Sequence, residues 1–418
     1  MNKQVLLVED TAFFERVIRR QLDAIEGMEV VSAPNRAEAE RLLQRADVAP
    51  VVALLDLTLP DAPNGEIVDV ALARGIPTIV FSGRFDDKLR AALLEKGVVD
   101  YILKENPTSL AYVTSLVQRI CANRQIDALV VDDSRIDLEA VARRLRLYQL
   151  RVHTATSCED AMAKLDGLEN LRLVVLDYLM PRVDGFELLR SLRARYSMDR
   201  VAVVGLSARA GPEVIARFLK SGANDFLPKS CTPEEFMLRI SQNLDTLDRI
   251  KTLDDLANRD PLTGLSNRRH LFSHGAAMLA RKRGAGLPVR VAAIDIDRFK
   301  SINDRYGHEA GDELIRLLGE AIDASLPQGA FAARLGGDEF CIILPDLEEQ
   351  PAREALDRLR ERVKSLTALA GDLAHLDSVT LSIGLSDGSA LSLQDAIRAA
   401  DVHLYAAKRK GRDRVVAS

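Results

Sequence analysis

Short, almost continuous apolar runs, each closed by an acid, a serine or a lysine, mark out the first part of the chain. Val5-Leu6-Leu7-Val8 leads into Glu9-Asp10, Val51-Val52-Ala53-Leu54-Leu55 into Asp56, Thr78-Ile79-Val80-Phe81 into Ser82, and Tyr101-Ile102-Leu103 into Lys104. The same order returns about 125 residues later, a period of domain size rather than solenoid size. There Leu129-Val130-Val131 precedes Asp132-Asp133, Leu173-Val174-Val175-Leu176 precedes Asp177, Val201 to Leu206 precedes Ser207, and Phe226-Leu227-Pro228 precedes Lys229. The separation of serine from lysine is the same in both copies. Between the runs, Phe14, Val17, Ile18 and Leu22, and again Leu138, Val141, Ala142 and Leu145, recur at the helical period. Apolar strands alternating with amphipathic helices predict two parallel, doubly wound sheets covered on both faces. Ligands of such sheets bind at the carboxyl ends of the strands. The acids, the serine and the lysine of each copy therefore converge on one pocket.

The residue types say what such a pocket can do. Two or three carboxylates with water suit an octahedral Mg²⁺. A single acid after the second of these strands can attack a phosphoryl donor. A serine hydroxyl can bind one phosphoryl oxygen and a lysine another. An acid at a strand end is also an ordinary helix cap, but four elements in one order, twice, point to a site. On these motifs, residues 1–122 and 125–245 resemble two receiver domains of bacterial response regulators. The resemblance implies a flavodoxin-like (βα)5 fold for each. It implies Mg²⁺ (or Mn²⁺) held by Glu9, Asp10 and Asp56 in the first and by Asp132, Asp133 and Asp177 in the second. Asp56 and Asp177 would be the phosphoacceptors, and Ser82 with Lys104, and Ser207 with Lys229, would hold the phosphoryl group. Tyr101 and Phe226 stand where the family has its switch aromatic. Two departures bear on loop dynamics and dephosphorylation: Glu105 and Ser230 follow the lysines where the family usually has proline, and the loop from Asp56 to Gly65 is one residue longer than that from Asp177 to Gly185.

A single helix is predicted from Thr232 to about Asp260, with Thr232 as cap and Pro233-Glu234-Glu235 as first turn. Phe236, Ile240, Leu244, Leu247 and then Ile250 or Leu253 form an apolar stripe. In its first half the stripe fits a helix packed on its own domain as well as a seam between protomers. In its second half the seam is favoured. Residues 246–259 thus read as a connector.

Residues 260–418 form a third region. The strand Val289 to Ile294 runs into Asp295-Ile296-Asp297, followed by Arg298-Phe299-Lys300-Ser301-Ile302-Asn303 and, further on, Gly311-Asp312. Gly336-Gly337-Asp338-Glu339-Phe340, flanked by β-prone runs, reads as a hairpin with acids at its tip. Alone, that pattern also fits a plain Gly-Gly-Asp turn. Hairpin strands beside Asp295 would gather Asp295, Asp338 and Glu339 into an acid cluster fit for two metals and a triphosphate, with Lys300, Lys408 and Arg412 as countercharge.

The whole region resembles the GGDEF (diguanylate cyclase) family. This implies an α+β, ferredoxin-like nucleotidyl-cyclase-type fold and the condensation of two GTP into cyclic di-GMP and two pyrophosphates by a dimer. By resemblance, Asp295, the Ile296 carbonyl and Asp338 bind the metal. Asn303 and Asp312 read the guanine, Phe299, Lys300, Lys408 and Arg412 cover the phosphates, and Glu339 lies beside the reacting hydroxyl or a metal. Many relatives carry an Arg-x-x-Asp inhibitory site upstream of the hairpin, but here those positions are Pro327-Gln328-Gly329-Ala330.

Composition narrows the remaining classes. Over 418 residues, 57 basic and 62 acidic side chains give a net charge of −5, without the basic footprint of a dedicated nucleic-acid binder. No apolar run approaches the roughly 20 residues of a membrane-spanning helix, and Glu9 and Asp10 cut the first run short of a signal-peptide core. The 4 cysteines have no CxxC spacing and read as reduced thiols of a cytoplasmic protein. His270 and His274 share a helix face but have no third ligand nearby. The reading is a phosphorylation-regulated diguanylate cyclase served by a sensor histidine kinase or phosphotransfer protein. The alternatives are a GTP-binding sensor or a phosphotransfer scaffold without turnover.

Overall fold

The computed structural model describes residues 3–84, 86–105, 107–180, 185–208, 211–369 and 379–417. They form two compact units, residues 1–249 and 250–418. Pro181–Asp184, within the loop between Asp177 and Gly185, lies outside the described residues, as do Met1 and Asn2.

The first unit holds two five-stranded sheets. Strands β1 (Lys3–Val8), β2 (Met28–Ala33), β3 (Val52–Leu55), β4 (Thr78–Ser82) and β5 (Asp100–Leu103) lie in the order β2-β1-β3-β4-β5. Strands β6 (Asp127–Val131), β7 (Arg151–Ala155), β8 (Leu171–Asp177), β9 (Ala202–Ser207) and β10 (Asp225–Pro228) repeat that order as β7-β6-β8-β9-β10. Every pairing in both sheets is parallel. Strands buried on both faces explain why the runs read as continuous rather than alternating.

One face of each sheet has its own core, around Leu55, Ile67 and Val80 in the first and around Phe186, Leu189 and Phe218 in the second. The other two faces share a single cluster, built from Val113, Val117 and Ile120 of the helix Pro107–Asn123, Val141 and Leu145 of Arg135–Leu147, and Phe236, Ile240, Leu244 and Leu247. Each fully buried leucine or phenylalanine in it is worth about 1.5–3 kcal/mol. The helix Pro233–Asn258 is capped as predicted, with Thr232 Oγ1 accepting the Glu235 N–H at 3.1 Å. The question left open for its first half is settled: that stripe is spent on the receiver core. Beyond it, Leu253 and Leu256 are 66% and 74% exposed.

A charged contact closes the same interface. Arg119, buried on the helix Pro107–Asn123, pairs with Asp245 and, at 2.6 Å, with Asp248, which Arg172 of β8 also reaches. A buried guanidinium is tolerable only with such partners.

The second unit carries a mixed sheet of β11 (Ser266–Asn267), β12 (Val289–Ile296), β13 (Phe331–Gly336), β14 (Glu339–Pro345), β15 (Leu381–Leu385) and β16 (Arg414–Val416), in the order β11-β13-β14-β12-β15-β16. Its centre is antiparallel, with β12 between β14 and β15. Taken in chain order, β12, β13, β14 and β15 have the ferredoxin-like arrangement. The helix Leu393–Arg409 lies directly on β15: a Cβ added at Gly384 would come within 2.1 Å of the Ala400 carbonyl and the Leu404 nitrogen. Where a single helix was expected around His270, a short α-helix Arg268–His270 passes into a π-helical turn Leu271–Gly275. The two imidazoles still face one another, 5.1 Å apart, with both packed on Phe331.

Gly384→Ala has no room to relax, because backbone rather than a side chain blocks it. We expect it to destabilise this unit by about 3 kcal/mol, read as a lowered denaturation midpoint with the receivers' transition unchanged.

Candidate functional site

In both receivers the sheet delivers the acids to one point. One oxygen each from Glu9, Asp10 and Asp56 lies within 4.8 Å of the others, and so do Asp132, Asp133 and Asp177. An oxygen-only set of this size fits a hard divalent cation. Glu9 and Asp56 in the first set and Asp132 and Asp177 in the second are buried, and Asp10 and Asp133 stay open to solvent. Lys104 Nζ sits 2.6 Å from both Glu9 and Asp56. Lys229 Nζ lies 2.7 Å from Asp132 and 2.8 Å from Asp177. Burial pushes the Glu9 and Asp132 carboxyls up, against the pull of these lysines.

The two lysines are housed differently. Lys104 lies 4.8 Å over the ring of Phe14 and is almost fully buried. Lys229 has a third carboxylate instead, Asp137 at 2.9 Å. Burial alone would lower the Lys229 pKa, but hydrogen bonds from its ammonium to Asp132, Asp177 and Asp137 hold it above its ordinary value. Sequence reading missed Asp137, whose helical position lines up with Phe14 in the other copy.

Ser82 and Ser207 are buried at the ends of β4 and β9, and the Arg84 N–H donates to Ser82 Oγ at 3.2 Å. Tyr101 and Phe226 both point inward, 6% and 8% exposed. Gly205 makes room for the second, since a Cβ there would meet the Phe226 ring at 2.6 Å. Gly185 is needed too: a Cβ would come within 2.9 Å of the Asp177 carbonyl.

In the second unit β12 and β14 pair with Asp295 opposite Glu339, and Asp338 occupies the turn between β13 and β14. Gly336 and Gly337 take φ of 140° and 58°, which is why the tip needs glycines. The tip is tied down by Arg334, which donates to the Gly337 carbonyl at 2.9–3.0 Å and pairs with Asp260 at 3.1 Å. That contact gives the Asp260-Pro261-Leu262-Thr263-Gly264 segment its job, which the sequence did not disclose.

Asp295 is 9% exposed, and burial raises its carboxyl against the opposing effect of Lys408, whose Nζ lies 2.7 Å away. Asp295, Asp338 and Glu339 are brought to one end of the hairpin. They are not among the acid sets that converge within 4.8 Å among the described residues. Here Lys408 stands against Asp295 and supplies the opposing charge. The carboxyl of Asp401, on the same helix as Lys408, is pushed up by burial and then by the charge of Glu339.

Asn303 stands on the helix Phe299–Tyr306, and its Oδ1 is buried with no protein partner. Gly311, in the next helix, is what lets it fit: a Cβ at 311 would lie 1.9 Å from that oxygen. Asp312 is exposed beside it, Phe299 packs on the core, and Lys300 is exposed one residue further. Arg412 Nε lies 3.9 Å from Asp297.

Two phosphoacceptor-type clusters followed by a hairpin with an Asp-Glu tip describe a response regulator with a nucleotidyl-cyclase-like output domain. The model of the response regulator receiver domain matches residues 5–113 and 128–241, and that of the diguanylate cyclase GGDEF domain matches 257–414. The chain belongs to the response regulators, with two receiver domains and a C-terminal GGDEF domain, and is a response-regulator diguanylate cyclase. It is 28% identical to the response regulator PleD of Caulobacter vibrioides over 462 aligned residues, covering 100% of this chain and 99% of that protein. The diguanylate cyclase DgcP of Pseudomonas aeruginosa is 40% identical over 161 residues, which span 37% of this chain and 23% of DgcP. A crystal structure of a protein described as a two-component response regulator/GGDEF domain protein is 40% identical, with a TM-score of 0.56 over 59% of this chain and 100% of that one. Receiver and GGDEF domains generally use divalent cations, in keeping with the oxygen ligand sets above. No described helix is long and apolar enough to cross a membrane.

Gly311→Ala is expected to push Asn303 aside and to weaken binding of a non-hydrolysable GTP analogue about tenfold. Calorimetry with the full chain checks this.

Proposed function

We propose that the chain condenses two GTP into cyclic di-GMP and two pyrophosphates as a homodimer, under the control of receiver phosphorylation. The observation that carries this reading is the register of Asp295 against Glu339, with Asp338 at the adjoining turn and Lys408 on Asp295. Asp295, the Ile296 carbonyl and Asp338 would hold Mg²⁺ (or Mn²⁺), which when bound lowers the pKa of a hydroxyl and steadies a leaving pyrophosphate. The chain's own groups orient the nucleotide. The Asn303 amide and the Asp312 carboxylate suit the acceptor and donors of the guanine edge. Phe299, Lys300, Lys408 and Arg412 cover the phosphates. Glu339 lies beside the reacting 3′-hydroxyl or a metal; the 3′-oxygen of each GTP attacks the α-phosphorus of the other, each hydroxyl proton passes to solvent, and each bond to a leaving pyrophosphate breaks. Each domain carries one nucleotide, so two must face one another.

In the receivers, Asp56 and Asp177 accept the phosphoryl group from a histidine kinase or phosphotransfer protein. Glu9 with Asp10, and Asp132 with Asp133, complete the metal sets, while Ser82 with Lys104, and Ser207 with Lys229, bind the phosphoryl oxygens. The proposed division is 1–122 and 125–245 for the receivers, 246–259 for the connector and 260–418 for the cyclase. Asp177 is the favoured switch, because its domain leads directly into the connector, and Asp56 sets dimer packing. The exposed Leu253 and Leu256 suit a seam with a second copy. Free thiols at all four cysteines suit the cytoplasm.

Incubation with GTP and Mg²⁺, with and without acetyl phosphate, tests the reading. Cyclic di-GMP should form and rise with the phosphoryl donor, and Asp177→Asn should abolish the rise while Asp56→Asn reduces it. GTP binding without product would instead make this a sensor. Activation surviving in Asp177→Asn would refute the ranking.

Pro327–Ala330 carries neither the arginine nor the aspartate of the inhibitory site many relatives have. Initial rates should therefore be insensitive to added cyclic di-GMP acting through this segment. Inhibition that weakened on changing these four residues would contradict it.

A further inference from the structure

One buried carboxylate beside the cyclase site has been given no task. Asp297 is 6% exposed and lies two residues beyond Asp295. Its Oδ1 accepts from Ser382 Oγ at 2.6 Å. Its Oδ2 accepts from Thr380 Oγ1 at 2.7 Å and from the backbone N–H of Asp413 at 3.1 Å. It therefore joins the end of β12 to β15 and to the turn that opens β16.

That turn is strained. Gly411, Arg412 and Asp413 have φ of 107°, 65° and 45°, so two side-chain-bearing residues in succession adopt the left-handed region. Such a conformation persists only where the surroundings dictate it. On one side Asp297 grips the Asp413 amide. On the other, the Asp413 carboxylate pairs with Arg360 and, at 3.0 Å, with Lys364, both from the helix Glu349–Leu369. The turn carries Arg412, whose nitrogen nearest to Asp297 is Nε, at 3.9 Å. Nε is the guanidinium nitrogen nearest to the buried carboxylate, and the Arg412 side chain is 45% exposed. The paired terminal nitrogens of a guanidinium form the fork which recognises phosphate oxygens two at a time.

We propose that Asp297 is a positioning residue for the nucleotide reaction: it fixes the strained turn through the Asp413 amide and aims the Arg412 guanidinium at the phosphates of the bound GTP. The proposal rests on the reading of Arg412 as a phosphate ligand. Asp297 touches no reacting atom and acts through the turn and through its charge on the Arg412 guanidinium. Its charge matters more than its hydrogen bonds. An asparagine there can still accept from the Asp413 amide and turn its NH₂ toward a hydroxyl, but it no longer attracts the guanidinium.

The test compares the full-length wild type with Asp297→Asn, Arg412→Ala and the double variant. It reads binding of a non-hydrolysable GTP analogue by calorimetry, cyclic di-GMP formation against GTP concentration, and the thermal midpoint. Asp297→Asn should weaken analogue binding and raise the half-saturating GTP roughly fivefold, with kcat little changed. Added to Arg412→Ala, it should produce no further loss. Independent, additive losses would overturn the proposal. So would unimpaired analogue binding by Asp297→Asn, or a fall in kcat that tracks a lowered thermal midpoint with binding intact. Should Asp297→Asn not fold, Arg360→Gln frees the turn from its other side. It is expected to weaken analogue binding in the wild type and not in Arg412→Ala, and equal losses in both backgrounds would count against the proposal. Analogue binding is read without turnover, so a wild type that binds GTP but makes no product would remove the cyclase reading and leave this one standing.

Discussion

A lysine ammonium laid on a buried carboxylate recurs in all three domains, and the rest of each site is arranged around it. Lys104 lies on Glu9 and Asp56, Lys229 on Asp132 and Asp177, and Lys408 on Asp295. Buried parallel or central strands have nowhere to end except at the rim of the sheet, and there a group of acids cannot sit together unpaired. The lysine supplies the missing charge. With a cation bound, the proposed metal ligands would have their counterion and the lysine would be free to meet a phosphate. The same side chain would thus steady the acids alone and serve the loaded site.

The receivers use one architecture with two kinds of neighbourhood for that lysine. Lys104 is boxed in by Phe14, and Lys229 is held by the additional acid Asp137. The two copies share a continuous core, and Arg119 of the first reaches Asp245 at the end of the second and Asp248 just beyond it, so the two receivers meet at a common interface. The helix that takes part in this core is the same one whose later residues, Leu253 and Leu256, are exposed. In the cyclase unit, Gly384 lets the helix bearing Lys408 lie on β15, and Gly311 lets Asn303 turn inward. Both glycines position a side chain that belongs to another element.

The repeat, the sheet type and the acids were legible because burial on both faces writes continuous apolar runs, and because charge at a strand end is conspicuous. The hairpin at Gly336-Gly337 was legible for the same reason: glycines with positive φ between β-prone segments have few other uses. What sequence left open was decided by partners remote in the chain. The first half of the connector stripe could face its own domain or a second copy until Phe236, Ile240, Leu244 and Leu247 were seen in the receiver core. Asp297 was one acid of a three-residue run, and nothing local told it from Asp295. Only Thr380 just before β15, Ser382 within it and Asp413 of the turn that opens β16 do so. The tie from Asp260 to Arg334 and the fit of Gly311 to Asn303 are likewise contacts between segments whose local patterns carry no sign of each other.

If Asp295 holds the metal as proposed, Lys408 would exchange that carboxylate for the nucleotide's phosphates on loading. A crystal structure of the protein with Mg²⁺ and a non-hydrolysable GTP analogue measures this directly. The account predicts Lys408 Nζ on a phosphate oxygen, Asp295 on the metal, and the Asp297 contact with the Asp413 amide unchanged. Nucleotide and metal bound with Lys408 still paired to Asp295 would contradict it.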